Sequence, residues 1–386
     1  MSLWWTRKEQ LDQVQLQIIE NLPLRESFLV LGPPGSGKSN VLLRRAQFIR
    51  SQEMANVMVL TFTRSLVEFM KTGCVYQGRE IFPQSCVSTI ESWCRRLHYR
   101  RKTPLPDERP NLVDWKRALA ENAAALQDKD RFPKYDALFV DEAQDLLSEE
   151  VALLQKWSDV LFFVGDDRQK LYPDAEGLEA VNTIPALKEH KLPFHYRIAP
   201  EICRVADRIL RPQGGGTLEE SCQYNGPRPG SVNVHGPLTK RQQLEAAADT
   251  LKSQIRVYGD LIGEGDRLGV IVARREDRDL VFSFLERDNE LKGKAQIIRA
   301  PEPDDEDYSP SFDQDVPISI LTVKGCKGLE FRAVHWLFCE ELQHHHDTET
   351  YYTVVTRAKT SIGLYHSTNL PQELAGAYAP DEDDLW

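Results

Sequence analysis

Two kinds of hydrophobic pattern alternate along this chain. Short apolar runs rich in strand-forming residues are followed by longer segments whose apolar positions recur at helical spacing. In the first half, the pattern predicts strands at Phe28–Leu31, Val57–Thr61, Cys86–Ser88, Ala137–Val140 and Val160–Val164. Helices are expected between these strands, and they open after the turn that follows Leu31 and at Arg64, Glu91 and Ser148.

The second half continues the alternation. Strands are predicted near Ser231–His235, Leu268–Val272, Ile318–Thr322, Ala333–Leu337 and Ile362–Tyr365. Helices are predicted around Pro200–Leu210, Lys240–Val257, Arg274–Arg287 and Asp347–Lys359. Such alternation is typical of α/β architecture with parallel sheets. We place a domain boundary near Leu192-Pro193, which gives two domains, 1–192 and 193–386.

The turn after the first strand, residues 32–39, reads G-P-P-G-S-G-K-S. A glycine-rich loop between a strand and a helix can curl so that its backbone N–H groups point at phosphate oxygens, and the helix N-terminus adds positive charge. Gly32, Gly35 and Gly37 are therefore expected to cradle phosphates. Lys38 is expected to reach the β- and γ-phosphates and Ser39 to hold Mg²⁺. The alternative is a glycine-rich turn that binds nothing.

Paired carboxylates follow the strand predicted at Ala137–Val140 in the run D-E-A-Q-D at 141–145. In a parallel sheet, this places them at the carboxyl edge beside the phosphate loop. Asp141 is expected to hold Mg²⁺ and Glu142 to activate the attacking water. A polar strand end without chemistry is the alternative.

Composition limits the class of protein. The 386 residues are 41% hydrophobic and 28% charged, which is typical of a globular protein with room for two cores. No apolar run is long enough to span a membrane, and the first ten residues do not resemble a signal peptide. The seven cysteines never form C-x-x-C, so we expect no disulfide framework or zinc site, and a cytoplasmic location. The net charge of −11 argues against a general polyanion binder but allows a local basic channel.

Five further motifs follow in order along the chain: L-T-F-T at 60–63, V-G-D-D-R-Q-K-L-Y at 164–172, H-Y-R at 195–197, K-G-L-E-F at 327–331 and V-T-R-A at 355–358. Together with the phosphate loop and D-E-A-Q-D, their order from about residue 11 to about residue 366 resembles a superfamily-one DNA helicase of the UvrD/Rep type. The resemblance implies an α/β fold of two RecA-like P-loop lobes, each a mostly parallel sheet flanked by helices, with ATP held between them.

The resemblance also implies roles for single residues around ATP. Gln15 resembles the glutamine that reads adenine, with Gln10 as the second choice, and an amide can pair with adenine N6 and N7. Tyr196 resembles the aromatic residue that stacks on adenine. Glu330 resembles the carboxylate that holds the ribose.

Three further residues resemble groups that act in hydrolysis. Gln169 resembles the γ-phosphate sensor. Arg197 and Arg357 resemble arginine fingers supplied by the second lobe, where guanidinium groups neutralise charge on the transferred phosphoryl group.

For nucleic acid, the resemblance covers six positions on both halves of the chain. They are Thr61, Phe62, Thr63, Tyr172, Thr322 and Lys324. A histidine is usual at position 324, and the aromatic partner expected two residues after Tyr172 is replaced by Asp174. A basic run between Arg95 and Lys102 either contacts DNA or is a solvated face.

The large accessory insertions of the family are reduced here to about 98–134 and to the acidic segment near 301–316. We therefore expect an ATP-dependent motor, stimulated by DNA, that moves on single strands, with 3′ to 5′ polarity implied by the resemblance. Unwinding of a 3′-tailed duplex is expected to need a protein partner. The acidic tail 379–386 is either a candidate tether for that partner or a solvated end.

One rival function is an ATP-gated switch that binds nucleic acid or a partner without sustained movement. A second is a P-loop kinase of small molecules. The histidines at 344–346 are expected to form a loop rather than a metal site.

Overall fold

The computed structural model describes residues 5, 8–52, 54–107, 111–130, 132–168, 176–211, 216–299, 313, 315–342 and 348–378, without the side chains of 129 and 130. The chain divides into two compact units. The first unit comprises Thr6–Gly32 and Gly37–Leu192, and the second comprises Met1–Trp5, Pro33–Ser36 and Pro193–Trp386. The main boundary therefore falls between Leu192 and Pro193.

The first unit contains eight strands and seven α-helices among its described residues. In chain order they are α1 (Gln13–Leu16), β1 (Phe28–Leu31), α2 (Lys38–Ser51), β2 (Val57–Thr61), α3 (Arg64–Thr72), β3 (Val75–Tyr76), β4 (Arg79–Glu80), β5 (Val87–Thr89), α4 (Ile90–Arg101), α5 (Leu112–Asp130), β6 (Ala137–Val140), α6 (Ser148–Trp157), β7 (Leu161–Gly165), α7 (Gly177–Asn182) and β8 (Lys188–Lys191). Six strands form one sheet in the order β5-β2-β6-β7-β1-β8, while β3 and β4 form a separate hairpin.

Every pairing in the six-stranded sheet is parallel. The carboxyl ends of β1, β6 and β7 therefore lie side by side at one edge, although β1 is far from the other two in sequence. Loops that follow these three strands meet at this edge, which is where open α/β sheets bind ligands.

The second unit contains the remaining elements. They are α8 (Pro200–Ile209), β9 (Ser231–His235), α9 (Lys240–Val257), α10 (Gly259–Gly263), β10 (Leu268–Val272), α11 (Arg275–Leu285), β11 (Ala295–Ile297), β12 (Ile318–Thr322), β13 (Phe331–Trp336), α12 (Thr348–Val355), β14 (Ala358–Tyr365) and α13 (Gln372–Tyr378). Its sheet has the order β11-β12-β10-β13-β14-β9, again with parallel pairings only. Each unit is thus an α/β lobe of the RecA-like type, and the predicted fold class is confirmed.

Each lobe has its own hydrophobic core between its sheet and helices. In the first, Trp93 of α4 and Trp157 of α6 contact edge to face, with ring centroids 6.1 Å apart. Helix α5 lies within the predicted insertion 98–134 and buries Trp115, Leu119 and Ala123 in the same core. This segment is therefore part of the lobe rather than an accessory domain.

Some predicted boundaries were wrong. The helix predicted to reach Lys359 ends at Val355, because residues from Ala358 onward form strand β14, which pairs with β13 on one side and β9 on the other. Strand β8, K-E-H-K, was missed because it has no apolar alternation and is an edge strand, whose only strand partner within the described part of the chain is β1. Strand β11, of three residues, was also missed.

Candidate functional site

The phosphate loop joins β1 to α2 through two glycines in the left-handed region. Gly35 has φ +74° and Gly37, the N-cap of α2, has φ +85°. L-residues rarely adopt these angles, so glycine is required for the turn to close in this way. Helix α2, which has fourteen residues, therefore begins directly at the end of the loop. Its N-terminus is a favourable position for an anion.

Lys38 extends across this loop. Its Nζ donates to the carbonyl oxygen of Gly32 at 2.7 Å and lies 3.4 Å from Oδ2 of Asp166, at the end of β7. The lysine side chain is only 12% exposed. A mostly buried ammonium group is therefore positioned at the mouth of the loop, where the sequence predicted a phosphate contact.

Ser39 and Asp141 are in direct contact. The Ser39 hydroxyl donates to Oδ2 of Asp141 at 2.7 Å, and the backbone N–H of Glu142 donates to Oδ1 of the same carboxylate at 2.9 Å. Burial, followed by repulsion from Glu142, raises the pKa of Asp141 to about 7. Hydroxyl and carboxylate oxygens are ligands that Mg²⁺ prefers. A cation bound here would add to the positive charge of Lys38, which only partly stabilises the Asp141 carboxylate. The donor set therefore fits Mg²⁺.

Glu142 has an unusual backbone. Its φ of +56° and ψ of +47° lie in the left-handed region, which a residue other than glycine adopts at a cost of ~1–3 kcal/mol. The side-chain amide of Gln144 donates to Oε2 of Glu142 at 2.5 Å, while its Oε1 accepts from the backbone N–H of Asp166 at 3.1 Å. Gln144 thus connects Glu142, which follows β6, to Asp166, which follows β7.

Sequence reasoning did not assign roles to Gln144 and Asp166. Gln144 lies inside the motif D-E-A-Q-D, and Asp166 lies inside the motif V-G-D-D-R-Q. Burial raises the pKa of Asp166, although Lys38 acts in the opposite direction. The signal that could have found these two residues was their place at the ends of predicted strands.

Gln15 lies beside the end of the phosphate loop. A Cβ built on Gly37 would come within 3.0 Å of its Nε2. Gln15 also forms a capping box with Asp12, since its backbone N–H donates to Asp12 Oδ1 at 2.8 Å and its Oε1 accepts from the Asp12 N–H at 3.1 Å. Gln15 is 5% exposed, whereas Gln10 is exposed at the end of a 3-10 helix. The position of Gln15 beside the loop favours it over Gln10.

In the second unit, Arg197 and Glu330 form an ion pair. The Arg197 guanidinium donates to Oε2 of Glu330 at 2.7 Å. Burial alone would raise the pKa of Glu330, but the charges of Arg197, Lys359 and Arg357 outweigh it and hold this pKa below its usual value. The neighbouring Tyr196 donates its backbone N–H to the carbonyl oxygen of Gly35 at 3.3 Å, within the same unit.

A buried charged network lies behind this pair. Asp266, which is 0% exposed, accepts from Lys359 at 2.7 Å and from both Nε and Nη2 of Arg332. Arg332 also donates to the hydroxyl of Thr360 at 3.0 Å, and that hydroxyl lies 2.6 Å from the Tyr224 hydroxyl. Because Arg332 follows Glu330 by two residues and Lys359 follows Arg357 by two, the network fixes the chain on either side of the predicted nucleotide contacts.

Arg357 is 4% exposed and held by its own unit. It donates to the carbonyl oxygens of Thr353 at 2.9 Å and Leu329 at 3.4 Å, and its own carbonyl oxygen accepts from the Phe331 N–H. The backbone bond ties Arg357 to the start of β13, directly after Glu330.

The residues predicted to touch nucleic acid differ in accessibility. Thr61 is 0% exposed at the end of β2, so its hydroxyl is covered in this structure, and the contact predicted for it stays a prediction. Phe62 is half-buried, with the ammonium of Lys116 4.0 Å from its ring centroid, and Thr63 caps α3 by accepting from the Leu66 N–H. Thr322 is half-buried at the end of β12 and Lys324 is exposed.

The basic run predicted as an alternative contact lies on and just beyond α4. Arg95 pairs with Glu91 at 3.1 Å and its guanidinium lies 4.7 Å from the Trp115 ring centroid. Arg100 and Lys102 are exposed. Gln169, Tyr172, the histidines at 344–346, most of the acidic segment near 301–316 and the tail 379–386 lie outside the described residues.

Comparison with known proteins is informative mainly for the first unit. Residues 15–174, which include the phosphate loop, Asp141 and Glu142, match the family model described as AAA domain. This part of the chain is similar to that family. The match covers less than half of the 386 residues.

Two helicases resemble longer stretches of the chain. F-box DNA helicase 1 of Gallus gallus is 24% identical over 314 residues, covering 64% of this chain and 31% of that protein. The chain thus spans about a third of this curated relative. The solved structure of PRRSV helicase covers 89% of this chain and 53% of its own at 14% identity and a TM-score of 0.43, which is too low to support a statement about the fold. Among the described residues, no helix has the length and apolar character needed to span a membrane.

Proposed function

We propose that this protein is an ATP-hydrolysing motor of the superfamily-one, UvrD/Rep type that moves along single-stranded DNA. One observation carries the proposal. Lys38, the Ser39–Asp141 pair and Glu142 are positioned together at the carboxyl edge of the first sheet, at the open end of a helix that follows a glycine-rich loop. The AAA domain match over residues 15–174 and the similarity to a DNA helicase support it.

In this proposal, the residues act mainly by position and charge. The loop N–H groups and Lys38 hold the phosphates of ATP. Ser39 and Asp141 hold Mg²⁺, which when bound neutralises phosphate charge. Glu142 accepts a proton from the attacking water, and Gln144 fixes its carboxylate through the 2.5 Å hydrogen bond.

The second unit contributes residues whose roles come from the resemblance. Tyr196 is proposed to stack on adenine and Glu330 to hold the ribose, while Arg197 and Arg357 neutralise charge during transfer. The buried network around Asp266 supports this arrangement, because it fixes the segments that carry Glu330 and Arg357.

The nucleic-acid side is proposed on Phe62, Thr63, Thr322 and Lys324. Single strands are bound by aromatic stacking and by cations or hydroxyls at phosphates, and these residues offer each of these groups. Movement is proposed to run 3′ to 5′. Unwinding of a 3′-tailed duplex is proposed to depend on a protein partner. The short insertion 98–134 packs into the core of the first lobe and so does not form a separate domain that could hold the duplex.

The experiment is steady ATP turnover by the full chain with and without single-stranded DNA. Turnover should rise with the DNA, and Lys38→Ala, Glu142→Gln and Arg357→Ala should each lower it by ~100-fold or more. Glu142→Gln should still bind ATP. Glu179→Gln, an exposed carboxylate on α7, is the matched control and should retain full turnover. Parental turnover in the Glu142→Gln variant would overturn the assignment of the base.

A further inference from the structure

Two buried polar side chains of the first unit have hydrogen-bonding groups without partners. Asn40 is 3% exposed, and among the described residues neither its amide nitrogen nor its amide oxygen has a hydrogen-bond partner. The hydroxyl of Thr61, which is 0% exposed, also has no partner in the part of the chain that the structure describes. Leaving such groups unpaired in a protein interior is unfavourable, so each of them needs an explanation. The proposed function uses neither side chain.

Thr61 points to the same face of the sheet as the proposed magnesium ligands. Leu60 is buried in the core that β2 and β6 form with α4, α5 and α6, and successive side chains of a strand alternate, so Thr61 faces the other side. Val140 is buried in that core too, so Asp141 also faces the other side, where it accepts from Ser39 at the start of α2. Leu60 is paired with Val140 in the register of β2 and β6, which places Thr61 beside Asp141.

Asn40 lies on the side of α2 that faces α3. Both helices follow parallel strands of one sheet, so both begin at its carboxyl edge and run back in the same direction. Further along α2, the side-chain amide of Gln47 donates to the carbonyl oxygen of Gly73, which directly follows α3, at 3.1 Å. Asn40 precedes Gln47 by about two turns and is therefore on the same side of α2. Its amide is thus directed toward the first turn of α3, whose N-cap is Thr63.

We propose that Asn40 and Thr61 are positioning residues that couple nucleotide binding to nucleic-acid binding. Asn40 directly follows Ser39, a proposed magnesium ligand, and Thr61 directly precedes Phe62, a proposed nucleic-acid contact. When bound nucleotide holds the start of α2, the Thr61 hydroxyl donates to the amide oxygen of Asn40, and this hydrogen bond sets the position of Phe62. Thr61 then acts through Phe62 rather than by contacting nucleic acid itself. The inference rests on the proposed function and adds the route by which its two sites communicate.

The unpaired groups allow this contact to act as a switch. Because the Thr61 hydroxyl and the Asn40 amide are unpaired in this structure, a hydrogen bond between them favours a second arrangement of the two segments. Nucleotide that stabilises this arrangement changes the affinity for nucleic acid, and nucleic acid changes the affinity for nucleotide by the same factor. Coupling between two sites typically amounts to a factor of about 5–150.

The test measures the Kd of the full chain for fluorescent single-stranded DNA in Mg²⁺, with and without a non-hydrolysable ATP analogue. In the parental chain, the analogue should change this Kd by ~5-fold or more. Asn40→Leu and Thr61→Val nearly preserve side-chain size and remove the polar groups, so each should reduce the effect of the analogue to less than ~2-fold. Thr61→Ser keeps the hydroxyl and should keep the effect.

Gln47→Leu is the matched control, because Gln47 lies on the same side of α2 and bonds only within the fold, to Gly73. Loss of that hydrogen bond should lower the denaturant midpoint of unfolding, while the effect of the analogue on DNA affinity stays parental. Asn40→Leu should show the reverse, with an equal or higher midpoint and the coupling lost, since it removes unpaired buried groups. The Asn40→Leu/Thr61→Val double variant should lose no more coupling than either single variant, because both changes remove one hydrogen bond.

A parental effect of the analogue in Asn40→Leu or in Thr61→Val would overturn the inference, and so would an equal loss in Gln47→Leu. If Asn40→Leu fails to fold, the comparison of Thr61→Val with Thr61→Ser decides. A parental chain whose ATP turnover rises with single-stranded DNA, but whose DNA affinity does not respond to the analogue, would overturn the inference and leave the proposed function standing. A parental chain that does not bind single-stranded DNA would overturn both.

Discussion

The hydroxyl of Ser39 lies 2.7 Å from Oδ2 of Asp141, although the two residues are 102 positions apart in the sequence. Ser39 is at the start of α2 and Asp141 directly follows β6. The contact exists because β1 and β6 are parallel strands of one sheet, so that the helix after one and the loop after the other meet at the same edge. A buried carboxylate is thereby placed where the proposed function requires a magnesium ligand.

Asp141→Asn should separate stability from activity. Asn is close in size, its Oδ1 can still accept from the Glu142 N–H, and its amide can donate to Ser39, while the buried charge repelled by Glu142 is removed. In the absence of nucleotide and Mg²⁺, the free energy of unfolding of the variant should therefore be higher than that of the parental chain by ~1 kcal/mol. ATP turnover should nevertheless fall by ~100-fold.

Denaturant unfolding and steady ATP turnover check the two halves of this prediction. Asp136→Asn is the control, because Asp136 precedes the same strand but lies outside the site. An Asp141→Asn variant with parental turnover would contradict the proposed magnesium ligand.

Gln15→Ala should reduce the preference for ATP over GTP. Oε1 of Gln15 accepts one bond from Asp12 and has a second lone pair for adenine N6, whereas guanine presents an acceptor at that position. The unmade bond costs about 1–3 kcal/mol, so the parent should favour ATP by roughly tenfold to a hundredfold. The ratio of kcat/KM for the two nucleotides is the measurement, since loss of the capping box affects both equally.

Gln10→Ala is the matched control for that experiment. Gln10 is exposed at the end of a short helix, and its removal should leave the ratio unchanged. If Gln10→Ala lowers the ratio and Gln15→Ala does not, the roles of the two glutamines are reversed.

Asp266→Asn should destabilise the second unit. Lys359 and Arg332 would lose their shared carboxylate while remaining buried, which costs about 3–5 kcal/mol for a broken buried pair. Denaturant unfolding measures the loss. Asp249→Asn, whose side chain is 80% exposed near Lys252, should change stability by less than ~0.5 kcal/mol. Equal stability of the two variants would mean that the network is not structurally important.

The same network predicts a pH dependence. Burial would raise the pKa of Asp266, but Lys359 and Arg332 outweigh it and hold the pKa below its usual value. Such a carboxylate contributes stability above the unfolded pKa of ~4, and that stability is lost as pH falls through the folded value. The parental chain should therefore lose more stability below pH ~4 than Asp266→Asn does.

The sequence predicted most of the fold because its strands are short apolar runs and its helices have clear starts. Strand bounds at Phe28–Leu31 and Leu268–Val272 agree with the structure to the residue. The edge strand Lys188–Lys191 could not be predicted, because its order comes from pairing with β1 rather than from its own side chains.

Contacts between distant residues were harder to predict than the motifs. The phosphate loop is local and its geometry follows from its glycines. The Gln144 bridge between Glu142 and Asp166 depends on which strands become neighbours in the sheet, and the position of Asn40 on the side of α2 that faces α3 depends on how the two helices pack. No spacing rule encodes either arrangement.

Displacement of streptavidin from the ends of biotinylated single-stranded DNA tests the central claim most directly, because it requires ATP-driven movement rather than ATP-gated binding. The parental chain should displace streptavidin from the 5′ end when ATP is present, and much more slowly from the 3′ end. Glu142→Gln should bind the DNA with ATP and displace nothing. ATP-dependent DNA binding by the parental chain without displacement from either end would contradict the motor and favour the switch.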